Sequence, residues 1–293
     1  MLTAEYLVVK GATALALPTR RGQRLELKTG SGSEVVWKAL DDKGEEWFSA
    51  NIDLMGFDVI KTTDEKVAAN LREILVAACR ENSDFLSKWK KYRVTTQLEF
   101  PRHWGLGSSA TLINLISQWA EANPYMMYFN LESGSGYDIA ASLADEPIFY
   151  TYTGEELNIV SAPFDPPFKK DLYFVPLGEK ANSAEAVKTF LKKRTKKSDI
   201  QRATGLTEAI AGAKSLKNFN TLIEEHEQFI GQILGMPPVK ERLFPDYPGA
   251  IKSLGAWGGD MILASGNGAF DAKAYFHDKG YDTVLSYDEL IVG

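Results

Sequence analysis

Cysteine is almost missing from this 293-residue chain: Cys79 is the only one, which excludes an internal disulfide and a cluster of thiolate metal ligands. It lies in an apolar-periodic stretch, residues 67–80, and reads as a small core residue. Long apolar runs are missing as well. None approaches the ~18 residues needed to cross a bilayer, and no charged-then-apolar leader opens the sequence, so the cytoplasm is the expected compartment and no membrane partner is expected. Nor is there an excess of positive charge: 33 Lys and Arg stand against 39 Asp and Glu, a net charge of -6, which leaves no electrostatic footprint for nucleic acid. The one basic run, residues 188–197, reads as a solvated helix end. What remains is ordinary globular material, with 44% hydrophobic residues, 25% charged residues and 24 glycines, enough for one large or two moderate domains.

Alternation predicts strands over residues 2–9, 14–17, 23–29, 34–40 and 46–51, an antiparallel meander broken by the Ser31-Gly32-Ser33 and Asp41–Gly44 turns. Helical periodicity at 64–80 and 109–121 flanks a strand at 92–100, and 147–152 reads as a further strand. Pro163, Pro166 and Pro167 interrupt both periodicities and mark the expected boundary. Beyond them come strands at 172–176, 259–264 and 283–286 and helices at 184–193, 198–213, 218–234 and 269–279. The pattern is α+β, without internal repeats.

The chemistry concentrates in Pro101-Arg102-His103-Trp104-Gly105-Leu106-Gly107-Ser108-Ser109-Ala110, which joins a strand to a helix whose Leu112, Leu115, Ile116 and Trp119 share one face. Unpaired amides and the helix dipole make such a start an anion site, and the two glycines let backbone approach a ligand closely. A serine hydroxyl there suits a magnesium ion bridging phosphates, or simply caps the helix. A second candidate is Asp138, in Ser133-Gly134-Ser135-Gly136-Tyr137-Asp138. It is placed either to accept a proton from an attacking hydroxyl or to cap a helix starting near Ile139.

The run from Pro101 to Ala110 resembles without a mismatch the ATP-binding motif of the GHMP kinases, the family of galactokinase, homoserine kinase, mevalonate kinase and phosphomevalonate kinase. It is not a Walker A loop, since no Gly-Lys-Ser or Gly-Lys-Thr follows. Residues 133–142 resemble the segment that carries the catalytic aspartate in the mevalonate and phosphomevalonate kinases. Gly255-Ala256-Trp257-Gly258-Gly259-Asp260 resembles the family's C-terminal glycine motif, with Trp257 where glycine is usual, so that a bulky ring intrudes on or covers the site. Residues 3–11 resemble the family's N-terminal Gly-Glu-(His/Tyr)-x-Val strand.

The resemblance implies a ribosomal-S5-like ATP-binding domain over 1–160 and a ferredoxin-like domain over 161–293. It further implies ATP and Mg2+ as cofactors and a small-molecule phosphoryl acceptor, mevalonate or phosphomevalonate first, with a sugar or homoserine, or a non-catalytic nucleotide-binding homologue, as the alternatives; a homodimer stays open. Carried over residue by residue, it makes Asp138 catalytic and gives ATP to Gly105, Leu106, Gly107, Ser108, Ser109 and Ala110. It gives the acceptor to Glu5, Gly136, Gly258 and Gly259. The metal goes to Ser109 and Glu132, the latter otherwise a solvated loop carboxylate, because the glutamate that mevalonate kinases place ahead of the aspartate falls on Met127 here. The family's Pro-Gly-Lys does not precede Glu5, and Lys10 lies too far along to replace that lysine. The sequence therefore reads either as starting downstream of the lysine or as a catalytically weakened or silent member. Asn182 and Ser183 read as a helix cap, with an acceptor contact as the lesser alternative.

Overall fold

The computed structural model describes residues 1–88, 90–131, 134–178, 183–257, 259–266 and 270–292, apart from the side chains of 183 and 184. Two compact units divide the chain, one of residues 21–102 and 106–142, the other of residues 1–20, 103–105 and 143–293. Among the described residues no helix is long and apolar enough to cross a membrane.

In the second unit, β1 (Ala14–Ala16) pairs antiparallel with β7 (Ile148–Tyr152), and β7 pairs with β8 (Leu157–Ser161). A separate four-stranded antiparallel sheet is built from β9 (Leu172–Pro176), β10 (Ile251–Leu254), β11 (Met261–Ser265) and β12 (Leu285–Ser286), in the order β10-β11-β9-β12. Helices α5 (Ser183–Leu191), α6 (Lys197–Ala211), α7 (Leu216–Leu234) and α8 (Val239–Leu243) separate β9 from β10; α9 (Ala272–Asp278) separates β11 from β12, and α10 (Tyr287–Leu290) follows. Strand, helix, two strands, helix, strand, with the first strand inserted beside the third, is the ferredoxin-like arrangement. Val175, Ile262 and Ala264 from its sheet meet Phe244, Tyr247 and Phe276 in one apolar core.

The other unit carries a five-stranded sheet of β2 (Gln23–Gly30), β3 (Glu34–Leu40), β4 (Glu46–Asp53), β5 (Val59–Thr62) and β6 (Lys91–Leu98), in the order β2-β6-β3-β4-β5. It is not the expected meander, because β6 runs between β2 and β3, antiparallel to one and parallel to the other. The 31–33 turn steps across the start of β6: a Cβ on Gly32 would stand 3.1 Å from that of Lys91. Strand β2 is largely exposed, so no buried face records its neighbour in its sequence. Val35, Trp37, Phe48, Ile52 and Val94 point from the sheet into a core shared with α1 (Glu65–Glu81), α2 (Ser108–Ala120) and α3 (Pro124–Leu131). Asp64 fixes the start of α1, its side chain accepting from the N–H groups of Lys66 and Val67. Helix α4 (Tyr137–Leu143) closes this stretch.

The expected strand over 2–9 is absent. Ala4 and Tyr6 take left-handed backbone (φ 61° and 65°), and residues 7–10 form a 3-10 turn. Residues 2–8 are all buried, so apolar content there carries no period that distinguishes a strand.

Candidate active site

Helix α2 begins at Ser108, with Gly107 in left-handed backbone (φ 75°) at the capping position and no side-chain cap. The serines are therefore the first two helical residues and not the cap. No acidic side chain lies in the first turn, so the amides at the start of α2 and the positive end of its dipole are not neutralised from within the helix. Gly105 and Ser109 are exposed, while Ala110 is buried. The helix buries Ile113, Asn114, Ile116, Ser117 and Ala120. Leu112 and Trp119 are only partly buried, so the apolar face expected from sequence is rotated toward Ile113 and Asn114.

Gly105 is required twice over. Its φ is 69°, and a Cβ built on it would lie 2.6 Å from the Cβ and 2.8 Å from the Cγ of Asp260. The phosphate-type loop and the last residue of the C-terminal glycine motif are thus in contact, although 155 positions separate them (260 − 105). Asp260 is 7% exposed, and its carbonyl accepts from the Leu177 N–H at 3.1 Å. Gly255 (φ 69°) and Gly259 (φ 105°) supply left-handed backbone in the stretch that leads to it. Trp257 keeps a left-handed φ of 58° where the family has glycine, a strained choice for a bulky residue. Its ring turns inward, 1% exposed and 3.7 Å from a Cβ built on Gly231, and so does not cover a site.

Glu5 is fully buried. Its carboxylate accepts from the Lys252 ammonium, which also donates to Glu227 at 2.9 Å and to the Ser253 carbonyl at 2.7 Å. Ser253 Oγ donates to the other oxygen of Glu227 at 3.1 Å, and the Ala4 N–H donates to His226 Nε2 at 2.9 Å. Since Nε2 accepts, His226 is neutral and carries its proton on Nδ1. Burial, followed by the nearby Lys252 charge, holds its pKa well below the usual histidine value. Two carboxylates then share one ammonium out of reach of water. Burial pushes Glu5 up to about 7 against the pull of Lys252. For Lys252, burial works to lower the pKa, but Glu227 and Glu5 outweigh it and raise the value. Tyr6 links the cluster to the glycine motif through its hydroxyl, which donates to the Ala256 carbonyl at 2.6 Å. Burial, then Glu5 and Asp260, push that phenol up to about 12.

Asp138 is the second residue of α4 and half-buried, and its Oδ1 accepts from the following N–H at 3.1 Å. It does not cap a helix starting at Ile139, since α4 begins at Tyr137. Gly136 turns the chain into α4 with φ 77°. Asn114 joins α2 to α4: its Nδ2 donates to the Ile139 carbonyl at 3.2 Å and to Ser142 Oγ. Nothing in the sequence pattern singled out Asn114 or Lys252, because each acquires its partners only through the tertiary fold. Glu132, Gly258 and Asn182 lie outside the described residues, as does the side chain of Ser183. Among the described residues no three His, Cys, Asp or Glu side chains converge on a metal position.

No protein-family model matches the chain, and no curated protein matches it in sequence. Solved structures do match. Lin0012 from Listeria innocua is 18% identical, over 97% of this chain and 93% of that one, with a TM-score of 0.70. Methanococcus jannaschii mevalonate kinase is 15% identical, over 99% and 95% of the two chains, with a TM-score of 0.67. Streptococcus pneumoniae phosphomevalonate kinase, in complex with phosphomevalonate and AMPPNP, is 13% identical, over 97% and 96%, with a TM-score of 0.67. The likeness is one of architecture and runs the length of the chain, which has the two-domain α+β fold of the GHMP kinases.

Proposed function

We propose that this protein is an ATP- and magnesium-dependent small-molecule kinase of the cytoplasm. Its acceptor is a small hydroxylated or phosphorylated acid, with mevalonate and phosphomevalonate foremost. The observation that carries this reading is the start of α2, where left-handed Gly105 and Gly107 lead into a helix with no side-chain cap and no acid in its first turn. Such a terminus fits a polyphosphate through backbone amides alone. Ser109, exposed at the second helical position, fits as one oxygen ligand of a magnesium ion that otherwise takes phosphate oxygens and water, with Glu132 as the second protein ligand.

ATP would supply the transferable phosphoryl group, and its metal ion would neutralise part of the charge. The amides from Gly107 to Ala110 orient the polyphosphate. Asp138 orients the acceptor hydroxyl and takes its proton, held to the same unit as α2 by Asn114. Gly136 and Gly259 give close backbone approach to the acceptor, and Gly258 shares that role. Glu5 contributes through the buried cluster, because its carboxylate is occupied by Lys252. The functional division at 160/161 is a different partition from the compact units, in which β1 pairs with β7 inside the larger of the two.

ADP release measured with mevalonate, phosphomevalonate, galactose and homoserine in parallel tests the proposal. Turnover with one of the first two supports the assignment. ATP binding without turnover on any acceptor would establish a nucleotide-binding protein that does no phosphotransfer.

A further inference from the structure

Asn114 occupies a costly position. It is 4% exposed on the inward side of α2, among Ile113, Ile116, Ser117 and Ala120, and its Oδ1 is buried without a hydrogen-bond partner. An unsatisfied buried carbonyl of this kind costs roughly 1–3 kcal/mol, which an aliphatic side chain of similar shape avoids. The return lies on the amide side. The Ile139 carbonyl can only accept, so the group facing it is the NH2, and this fixes the orientation of the amide. Ser142 Oγ donates to that same carbonyl at 3.0 Å, so it accepts from Asn114 Nδ2, and the three groups close a triangle.

The triangle grips a short helix. Helix α4 spans seven residues and buries only Ile139 and Ala140. Two directed bonds from one amide constrain both the rotation of α4 about its axis and its sliding along it. Ile139 follows Asp138 directly, so the carbonyl that Asn114 holds belongs to the residue next to the proposed catalytic carboxylate.

We infer that Asn114 is a positioning residue, which sets the register of α4 and hence the placement of Asp138 relative to the phosphate-binding end of α2. This rests on the kinase reading for its functional consequence and on geometry alone for its structural one. A displacement of about 1 Å in a reacting group lowers turnover by up to roughly 10²-fold, so loss of the tether is read in kcat. Affinity for ATP, held by the amides at the start of α2, is unaffected.

The test is Asn114→Leu, which keeps the branched outline and the number of side-chain heavy atoms, removes the tether and removes the orphan carbonyl together. Expected are an unchanged melting temperature, ATP affinity within about twofold of the wild type, and kcat lower by about 10- to 100-fold at an unchanged KM for ATP. Asn114→Asp, which sets a carboxylate against the Ile139 carbonyl, lowers kcat at least as far. Wild-type kcat retained by Asn114→Leu overturns the inference, as does a loss of ATP affinity or melting temperature in proportion to the loss of kcat. If the wild type itself turns over none of the acceptors, the kinase reading fails separately. Amide hydrogen exchange over residues 137–143 then decides for Asn114: faster exchange in Asn114→Leu upholds the tether, and unchanged exchange overturns it.

Discussion

Replacing Gly105 and Gly107 one at a time with alanine separates two reasons for a glycine that sequence alone cannot tell apart. Both residues take left-handed backbone, with φ of 69° and 75°, and a Cβ there carries a penalty of roughly 1–2 kcal/mol whatever surrounds it. Only Gly105 is also short of space. Its added Cβ would stand 2.6 Å from the Cβ of Asp260, whereas one on Gly107 meets no heavy atom within 4 Å. Overpacking of that kind adds about 1–3 kcal/mol. Gly107→Ala should therefore lose about 1–2 kcal/mol and Gly105→Ala about 2–5 kcal/mol, the excess being steric. Urea unfolding with the slope measured for each variant gives both values and shows whether the unfolded state has changed. Asp260→Gly removes the atom that Gly105→Ala would strike, so in that background the difference between the two alanine variants should vanish. Equal losses for the two single variants, or a coupling between Gly105→Ala and Asp260→Gly below about 0.5 kcal/mol, would refute the contact.

Three further outcomes follow from the site. Asp138→Asn should leave ATP binding intact and lower turnover by about 10²- to 10⁴-fold; retained turnover in a steady-state assay would reduce Asp138 to a helix-terminal residue. Ser109→Ala should raise the magnesium concentration needed for half-maximal turnover more than it weakens binding of metal-free ATP, and an unaltered magnesium requirement in a titration at fixed ATP would remove the ligand assignment. The buried cluster contains two titrations of opposite sense. Glu5, raised to about 7 in the folded state, holds a proton that the unfolded chain releases above the ordinary 4.5, so its stabilisation is present below 4.5 and lost as pH rises toward 7. His226, lowered in the folded state, refuses a proton that the unfolded chain takes up below 6.5, so its contribution is lost as pH falls below that value. The two offset each other between 4.5 and 6.5 in the wild type, and Glu5→Gln should expose the histidine as stability that rises with pH across that window, by up to about 1.4 kcal/mol per pH unit. Identical slopes for wild type and variant in pH-dependent unfolding would show that Glu5 does not hold the extra proton.

The start of α2 was legible in sequence because its signals are local: two glycines, a break, and a helical period that begins at once. The elements from Leu172 onward were nearly as legible, although β10 did not stand out from the loop before it, and their ferredoxin-like order was implied by the family resemblance and not by periodicity. The N-terminal segment misled because a run buried on all sides has no polar face to mark its period. Strands β2 and β3 read as neighbours because a short glycine turn usually closes a hairpin, and here the turn spans the intervening β6. The cluster around Lys252 was illegible for a different reason. A lysine beside a serine in a strand reads as surface, and only the approach of Glu5, some 247 positions away, and of Glu227 turns it into a buried cation.

The interleaving of the two units constrains the order in which this chain can be completed on a ribosome. Residues 21–102 and 106–142 contain every strand of their five-stranded sheet and all the helices around it, so that unit lacks nothing once residue 142 has emerged. The first 20 residues have to wait. Strand β1 finds its partner only when residues 148–150 arrive, and Thr19 forms its bridge only with Ile291, while Arg20 N–H and Val292 N–H bond to the carbonyls of Leu290 and Pro18. An apolar segment that is made ahead of the five-stranded unit, and whose contacts are completed only when residues 290–292 arrive, passes much of elongation with part of its partners missing, which leaves it exposed to chaperones, to proteases and to other nascent chains.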